Sequence, residues 1–150
     1  MKNLILSLLV VVQFSAFATE GVIESIKQND LVLYQKSVDK DFDLNHLNQA
    51  IKFSSTNIFT FLVDQLPELN DYDSTGNTPL LEAAMANNNS YVTTLLEKGA
   101  NPNLRGKSGL EATPLMYAAA FNNVEMINEL LSHHAKINQV DVNKDHALNW

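Results

Sequence analysis

The sequence predicts an all-α repeat solenoid, in which antiparallel helix pairs stack side by side and are joined by hairpin fingers. Three observations lead there. The segment Asn77-Thr78-Pro79-Leu80-Leu81-Glu82-Ala83-Ala84 is echoed by Ala112-Thr113-Pro114-Leu115-Met116-Tyr117-Ala118-Ala119. Each copy is followed by a leucine pair, Leu95-Leu96 and Leu130-Leu131, and the offset from Leu80 and from Leu115 is 15 residues both times. A shift of 33 residues toward the N-terminus finds a fainter copy, with Leu80 landing on Leu47, Ala83 on Ala50, Val92 on Phe59, Leu95-Leu96 on Leu62-Val63 and Asn103 on Asn70. A fixed internal period of this size marks stacked units that bury a continuous core only by covering one another.

Each element follows from the residues at its place. Thr78 and Thr113 can cap a helix start by accepting an unpaired backbone N–H. Pro79 and Pro114 then occupy the first helical position, where the missing N–H costs nothing and φ is already set. Leu80 and Leu115 supply bulk, while Ala83-Ala84 and Ala118-Ala119 keep one face thin so that a second helix can approach. Asn87-Asn88 and Asn122-Asn123 suit a turn followed by a new N-cap. The second helix carries Tyr91, Val92, Leu95 and Leu96 in one unit and Met126, Ile127, Leu130 and Leu131 in the next, spaced to share a face. Gly99 closes the first of these helices as a left-handed C-cap. His134 holds the matching place, where it tolerates that conformation less well but sets a polar ring at the helix C-terminus.

The flanks extend the array. Residues 45–72 read as a degenerate repeat whose Asn45-His46 replaces Thr-Pro, leaving asparagine as the only cap. Val22, Ile23, Ile26, Leu31, Leu33, Tyr34 and Val38 indicate an N-terminal capping helix pair over 19–44. Residues 73–105 and 106–140 form the two full repeats. His146-Ala147-Leu148 falls 33 residues after Thr113-Pro114-Leu115 and opens a truncated unit over 141–150. So short a unit offers no polar outer face, which terminal repeats need. The sequence therefore favours a chain that continues past Trp150 over one that Trp150 closes as a lid.

These features together resemble the ankyrin repeat family, and specifically its bacterial secreted or periplasmic members. The resemblance is carried by the Thr-Pro-Leu starts, the alanine pairs, the leucine pairs and Gly99-Ala100-Asn101-Pro102-Asn103. It implies two helices and a hairpin finger per unit, with Gly76 and Gly109 as the finger glycines. Two departures stand out. The family's histidine after Thr-Pro-Leu is replaced by Leu81 and Met116, which lack its polar link back to the threonine. Gly76 lies two positions before Thr78 but Gly109 four before Thr113, which lengthens the later finger by two residues.

Residues 1–18 have a different character. Lys2 gives a short positive region, Leu4 to Val12 is nearly all Leu, Ile and Val, and Ala16-Phe17-Ala18 places small residues, Ala16 and Ala18, for signal peptidase. That is a cleavable secretory signal and not a membrane span. The short n-region and the Asn/Lys-rich body read as bacterial, so the expected destination is the periplasm or the exterior. The chain has no cysteine, which excludes a disulfide framework and a lipid anchor at this site.

Without those 18 residues, 132 of the 150 remain, one domain's worth. The formal charge moves from −7 to −8 as Lys2 leaves. An acidic domain lacking a Lys/Arg stripe argues against nucleic acid and anionic membranes, and favours a basic or neutral protein partner. No other apolar run is long enough to span a bilayer.

Chemistry is nearly silent. His133 and His134 point to different sides of a helix end, and His46 and His146 stand apart, so no metal site is expected. Glu68, Asp71 and Asp73 cluster without the fuller ligand pattern of a calcium loop. Gly106-Lys107-Ser108-Gly109 lacks the glycine spacing and strand-to-helix context of a phosphate loop. Ser90, Ser108 and Thr113 have no base at hand. No catalytic residue and no cofactor are expected.

Two readings of function compete. One is a non-catalytic, monomeric binding module; the resemblance implies an accessory or immunity role. The other is the repeat portion of a larger secreted enzyme whose catalytic part lies elsewhere. For the first, the expected binding face is the concave side formed by finger tips and first helices. It comprises Ser74, Thr75, Asn77, Glu82, Met85 and Ala86, then Lys107, Ser108, Leu110, Glu111, Tyr117, Ala120 and Phe121. Leu110, Met85, Tyr117 and Phe121 have the adaptable or aromatic character of interface anchors, although Phe121 and Tyr117 fit packing between neighbouring units equally well.

Overall fold

The computed structural model describes residues 20–38, 42–107 and 109–150. The proposed signal segment, with Ala16 and Ala18, lies outside them, as does Ser108. Helices follow one another as four pairs. These are α1 (20–27) with α2 (Leu31–Ser37), α3 (Leu44–Lys52) with α4 (Thr56–Gln65), α5 (Pro79–Met85) with α6 (Asn89–Glu97), and α7 (Pro114–Ala120) with α8 (Val124–Ser132). A 3-10 turn, Ala147–Asn149, follows. Within a pair the two helices pack together, and across pairs α3 meets α5, α5 meets α7, α6 meets α8 and α7 meets the terminal turn. The result is an all-helical solenoid, with no strand among the described residues.

The repetition extends to single hydrogen bonds. Every first helix ends on a left-handed residue: Asn29, Ser54, Asn87 and Asn122, with φ of 53, 55, 52 and 52°. In each case its N–H reaches back three residues and the next N–H reaches back five, as in Asn87 to Ala84 and Asn88 to Ala83. These two bonds satisfy the orphan carbonyls of the helix end, and after glycine asparagine tolerates the left-handed region best. Gly99 and His134 repeat the device after α6 and α8, at φ 89° and 68°.

Helix starts follow the sequence reading with one change. Thr78, Asn88, Thr113 and Asn123 each accept the expected backbone N–H, from Leu81, Tyr91, Met116 and Met126. In the degenerate repeat, however, Asp43 caps α3 by accepting from His46 N at 2.9 Å. Asn45 is thereby freed, and its carbonyl takes Ser74 N of the next finger at 3.0 Å. Ser55 precedes α4 without capping it; its hydroxyl donates to the Ile26 carbonyl of the preceding pair.

Apolar residues at the repeat positions fill one continuous core. Leu47, Leu62, Leu80, Leu95 and Leu130 are buried, and Phe59 stacks on Tyr91 with ring centroids 4.0 Å apart. Ala84 is fully buried, but Ala119 is only partly covered and Ala118 is the fully buried alanine of its unit. At the N-terminal end Val22, Ile26, Tyr34 and Val38 turn inward, whereas Ile23 and Leu33 face out. Tyr34, Phe42 and Phe61 form an aromatic cluster, and the Tyr34 hydroxyl lies 3.1 Å from His46 Nδ1. Burial, with the Asp43 charge adding to it, pushes the Tyr34 phenol well above the usual tyrosine range. At the other end Trp150 sets its ring edge against Tyr117, centroids 5.4 Å apart.

Candidate functional site

Between the helix pairs project the fingers, and each is closed from its first residue. Asp73 N–H donates to the Asn77 carbonyl at 2.9 Å, Gly106 N–H to Ala112 at 3.1 Å, and Asp141 N–H to Asp145 at 3.0 Å. In the first finger Asp73 Oδ1 also accepts Thr75 N, the Thr75 hydroxyl and Asn77 N, while Oδ2 accepts Asn48 Nδ2 at 2.8 Å. Burial opposes ionisation of Asp73, but these four bonds outweigh it and hold the carboxyl below the usual carboxylate range. Asp141 repeats the arrangement by accepting from Asn143 N, Asp145 N and Trp150 Nε1. The Asp145 N–H is the largest influence lowering its pKa, with burial opposing.

The middle finger lacks this aspartate, and its partner is absent too. Asn48 stands where the family histidine is expected and reaches both Asp73 and the Asn77 carbonyl. The equivalent residue facing Gly106 is Leu81, which is buried and apolar. At the third junction the aspartate, Asp141, is present while the equivalent inner-helix residue is the apolar Met116.

Fingers also bond to one another. Lys107 N–H donates to the Gly76 carbonyl at 2.8 Å, and Val142 N–H to the Leu110 carbonyl at 3.1 Å. Gly76 needs its missing side chain: φ is 83°, and a Cβ there would lie 3.1 Å from Lys107 Cβ. The later finger corrects one sequence expectation. Its hairpin closes at Ala112, so the left-handed residue just before closure, matching Gly76, is Glu111 at φ 50°. Gly109, at φ 64°, serves the inserted turn instead. The two extra residues carry the Leu110 carbonyl to the next finger and keep the ladder unbroken.

The expected binding residues divide into three groups. Ser74, Thr75, Ala86, Lys107 and Ala120 are exposed. So are the larger Met85, Leu110 and Phe121, at 38%, 44% and 47%. Asn77 and Glu111 are half-buried; Asn77 Nδ2 donates to Glu82, and Glu111 pairs with Arg105 at 3.1 Å. One residue does not present itself as expected, and Tyr117 follows the packing alternative. Glu82 is buried at 3%, because Lys52 Nζ closes on it at 3.1 Å from α3 and Asn77 at 2.8 Å from the finger. Tyr117 is half-covered by Trp150, and burial, with the Glu82 charge adding to it, raises its phenol pKa. Ser108 is not among the described residues.

One exposed aromatic escaped the sequence reading. Phe53, Ala86 and Phe121 are the successive C-caps of α3, α5 and α7, so they form one row along the stack. Phe53 is 41% exposed, with Lys27 Nζ 5.6 Å from its ring centre. The signal was available, since the 33-residue shift from Ala86 lands on Phe53. The C-terminal ends of the inner helices thus present Phe53, Met85 and Phe121, and the lengthened finger presents Leu110. Among the described residues no three His, Cys, Asp or Glu side chains converge as a metal site requires. No helix of the described residues is long and apolar enough to cross a membrane.

Stacked helix pairs with a ladder of hairpin fingers and a row of exposed side chains define a repeat protein built around a surface and not around a cavity. A family model described as ankyrin repeats in three copies matches residues 18–106, and a single ankyrin repeat model matches residues 111–142. The chain belongs to the ankyrin repeat family, whose repeats generally serve as protein–protein interaction modules and are typically non-catalytic. The gap between the two matches, 107–110, falls in the lengthened finger. A search of curated proteins returns no match.

Proposed function

We propose that this protein is a non-catalytic binding module that acts in the periplasm or outside the cell as a monomer. It grips one protein partner through its finger tips and the C-terminal ends of its inner helices. The observation that carries this reading is the exposure of Phe53, Met85 and Phe121 at the C-terminal ends of the inner helices and of Leu110 on a finger that is hydrogen-bonded to the next one. Exposed large apolar side chains grouped on one rigid face are characteristic of interaction sites, and a preorganised scaffold reduces the ordering cost of association. The acidic body favours a basic or neutral partner, steered by its charge. An immunity or accessory role fits a small exported module without catalytic groups.

The test is a double variant, Leu110→Ala with Phe121→Ala, used as bait in periplasmic extract. Capture is expected to be lost while helical circular dichroism is unchanged. Capture that survives this pair but disappears on substituting Thr93 and Glu129 of the outer helices would put the binding face on the opposite side. Export has its own check: intact-mass analysis of the mature protein is expected to begin at Thr19. Recovery of Met1 in the soluble mature form would overturn the location.

A further inference from the structure

We propose that the cavity beside the middle finger is a notch for one carboxylate, and that it receives a glutamate or aspartate side chain of the protein partner; this rests on the finger face being the binding face. The cavity measures about 310 Å³, and Tyr72, Arg105, Lys107 and Glu111 line it together with Asn103 and Gln139. It brings two cations to one place in a chain of net charge −7. Lys107 Nζ sits 3.7 Å above the centre of the Tyr72 ring, and no carboxylate of the described residues pairs with it. The ring face holds the ammonium by its quadrupole and leaves the N–H donors free for an anion.

Arg105 is positioned for the same purpose. Its Nη1 donates to the Val140 carbonyl at 2.8 Å, which fixes the guanidinium, and its Nη2 meets Glu111 Oε2 at 3.1 Å. Glu111, the left-handed residue just before the finger closes, supplies an internal carboxylate to a site that already accepts one. Both side chains of that pair are 40% exposed, open enough for an incoming carboxylate to compete. The amides are partly committed: Asn103 Oδ1 accepts Lys136 N, its Nδ2 gives one N–H to the His134 carbonyl, and Gln139 Nε2 gives one to the Asn103 carbonyl. Selectivity therefore falls to the two cations, which favour a charged oxyanion over an amide. Glu68, Asp71 and Asp73 lie in the loop that carries Tyr72 and would repel an extended polyanion. One carboxylate on a neutral or basic partner fits; a nucleic-acid backbone does not.

The probe is N-acetyl-glutamate α-amide, whose only charge is the side-chain carboxylate, titrated into the protein and followed by NMR. Saturable shifts are expected at Tyr72, Arg105 and Lys107, absent with the glutamine analogue. Lys107→Met is expected to weaken the response roughly tenfold, and Glu111→Gln to strengthen it by removing the internal competitor. Unchanged Thr113 and Met116 amide signals would show that both variants keep the fold. Equal response to the glutamine analogue, no effect of Lys107→Met, or a stronger response to inorganic phosphate than to the carboxylate would each overturn the proposal. Because the probe replaces the partner, this result stands apart from the pull-down with Leu110→Ala and Phe121→Ala.

Discussion

Asp73 shows how one side chain organises a finger. It accepts from the Asn48 amide of the preceding unit and from three donors of its own turn, and its pKa is lowered as a result. A carboxyl whose folded pKa lies below the unfolded value, about 3.9, stabilises the fold fully above that value. The contribution is lost as the pH falls through the folded pKa. Asp73→Asn is therefore expected to flatten the loss of stability in urea melts taken from about pH 5 downward. Asp73→Ala is expected to cost about 1–2 kcal/mol at neutral pH. The buried Glu82 gives a second case. Lys52→Ala leaves its carboxylate with Asn77 alone and is expected to cost about 1–3 kcal/mol. Adding Glu82→Gln to Lys52→Ala should recover part of this, since a neutral amide tolerates burial better. The leucine pairs separate by position in the stack. Leu96 is 3% exposed beneath the next unit, so Leu96→Ala is expected to cost about 2–5 kcal/mol, whereas the half-covered Leu131 should cost less. Equal denaturation midpoints for the two variants would contradict this.

At the level of elements, helix ends and fingers carry the specificity. The left-handed closures at Asn29, Ser54, Asn87 and Asn122 show why asparagine recurs in this chain, because each must adopt positive φ where most residues are strained. His134 adopts φ 68° in the place that Gly99 fills without penalty. His134→Gly is expected to stabilise the protein by about 0.5–1 kcal/mol in a thermal or urea melt. A loss would mean that the imidazole contributes more at the C-terminus of α8 than the backbone strain costs. Asparagines also tie units together: Asn70 Oδ1 accepts Asn101 N at 2.7 Å, and one unit later Asn103 Oδ1 accepts Lys136 N at 2.8 Å. The repeat of such a bond explains why the 33-residue shift from Asn103 to Asn70 is visible even though the unit that ends with Asn70 is degenerate.

For the molecule as a whole, each unit touches only its neighbours, so stability depends on nearest-neighbour contacts and opening should begin at the ends. Amide exchange is expected to be slowest in α3 to α6, which have a helix pair on both sides, and faster in α1, α2 and the terminal turn. Fastest exchange in α5 would contradict a one-dimensional stack. The same architecture generates a continuous face. A row of C-caps, Phe53, Ala86 and Phe121, is generated by the repeat itself, and changing the residue at one cap changes the surface without disturbing the core.

The sequence by itself determined the helix pairs, the caps at Thr78, Asn88, Thr113 and Asn123, and the exposed Met85, Leu110 and Phe121. These depend on local propensity and on a period that can be counted. It could not tell that Glu82 turns inward, that Tyr117 lies beneath Trp150, or that Glu111 and not Gly109 takes the place of Gly76. Those outcomes depend on which side chain the neighbouring unit brings within reach. Lys52 is 30 positions from Glu82 and Trp150 is 33 from Tyr117. Such pairings are settled only when stacking removes water from between the units and a buried charge or ring must find its partner.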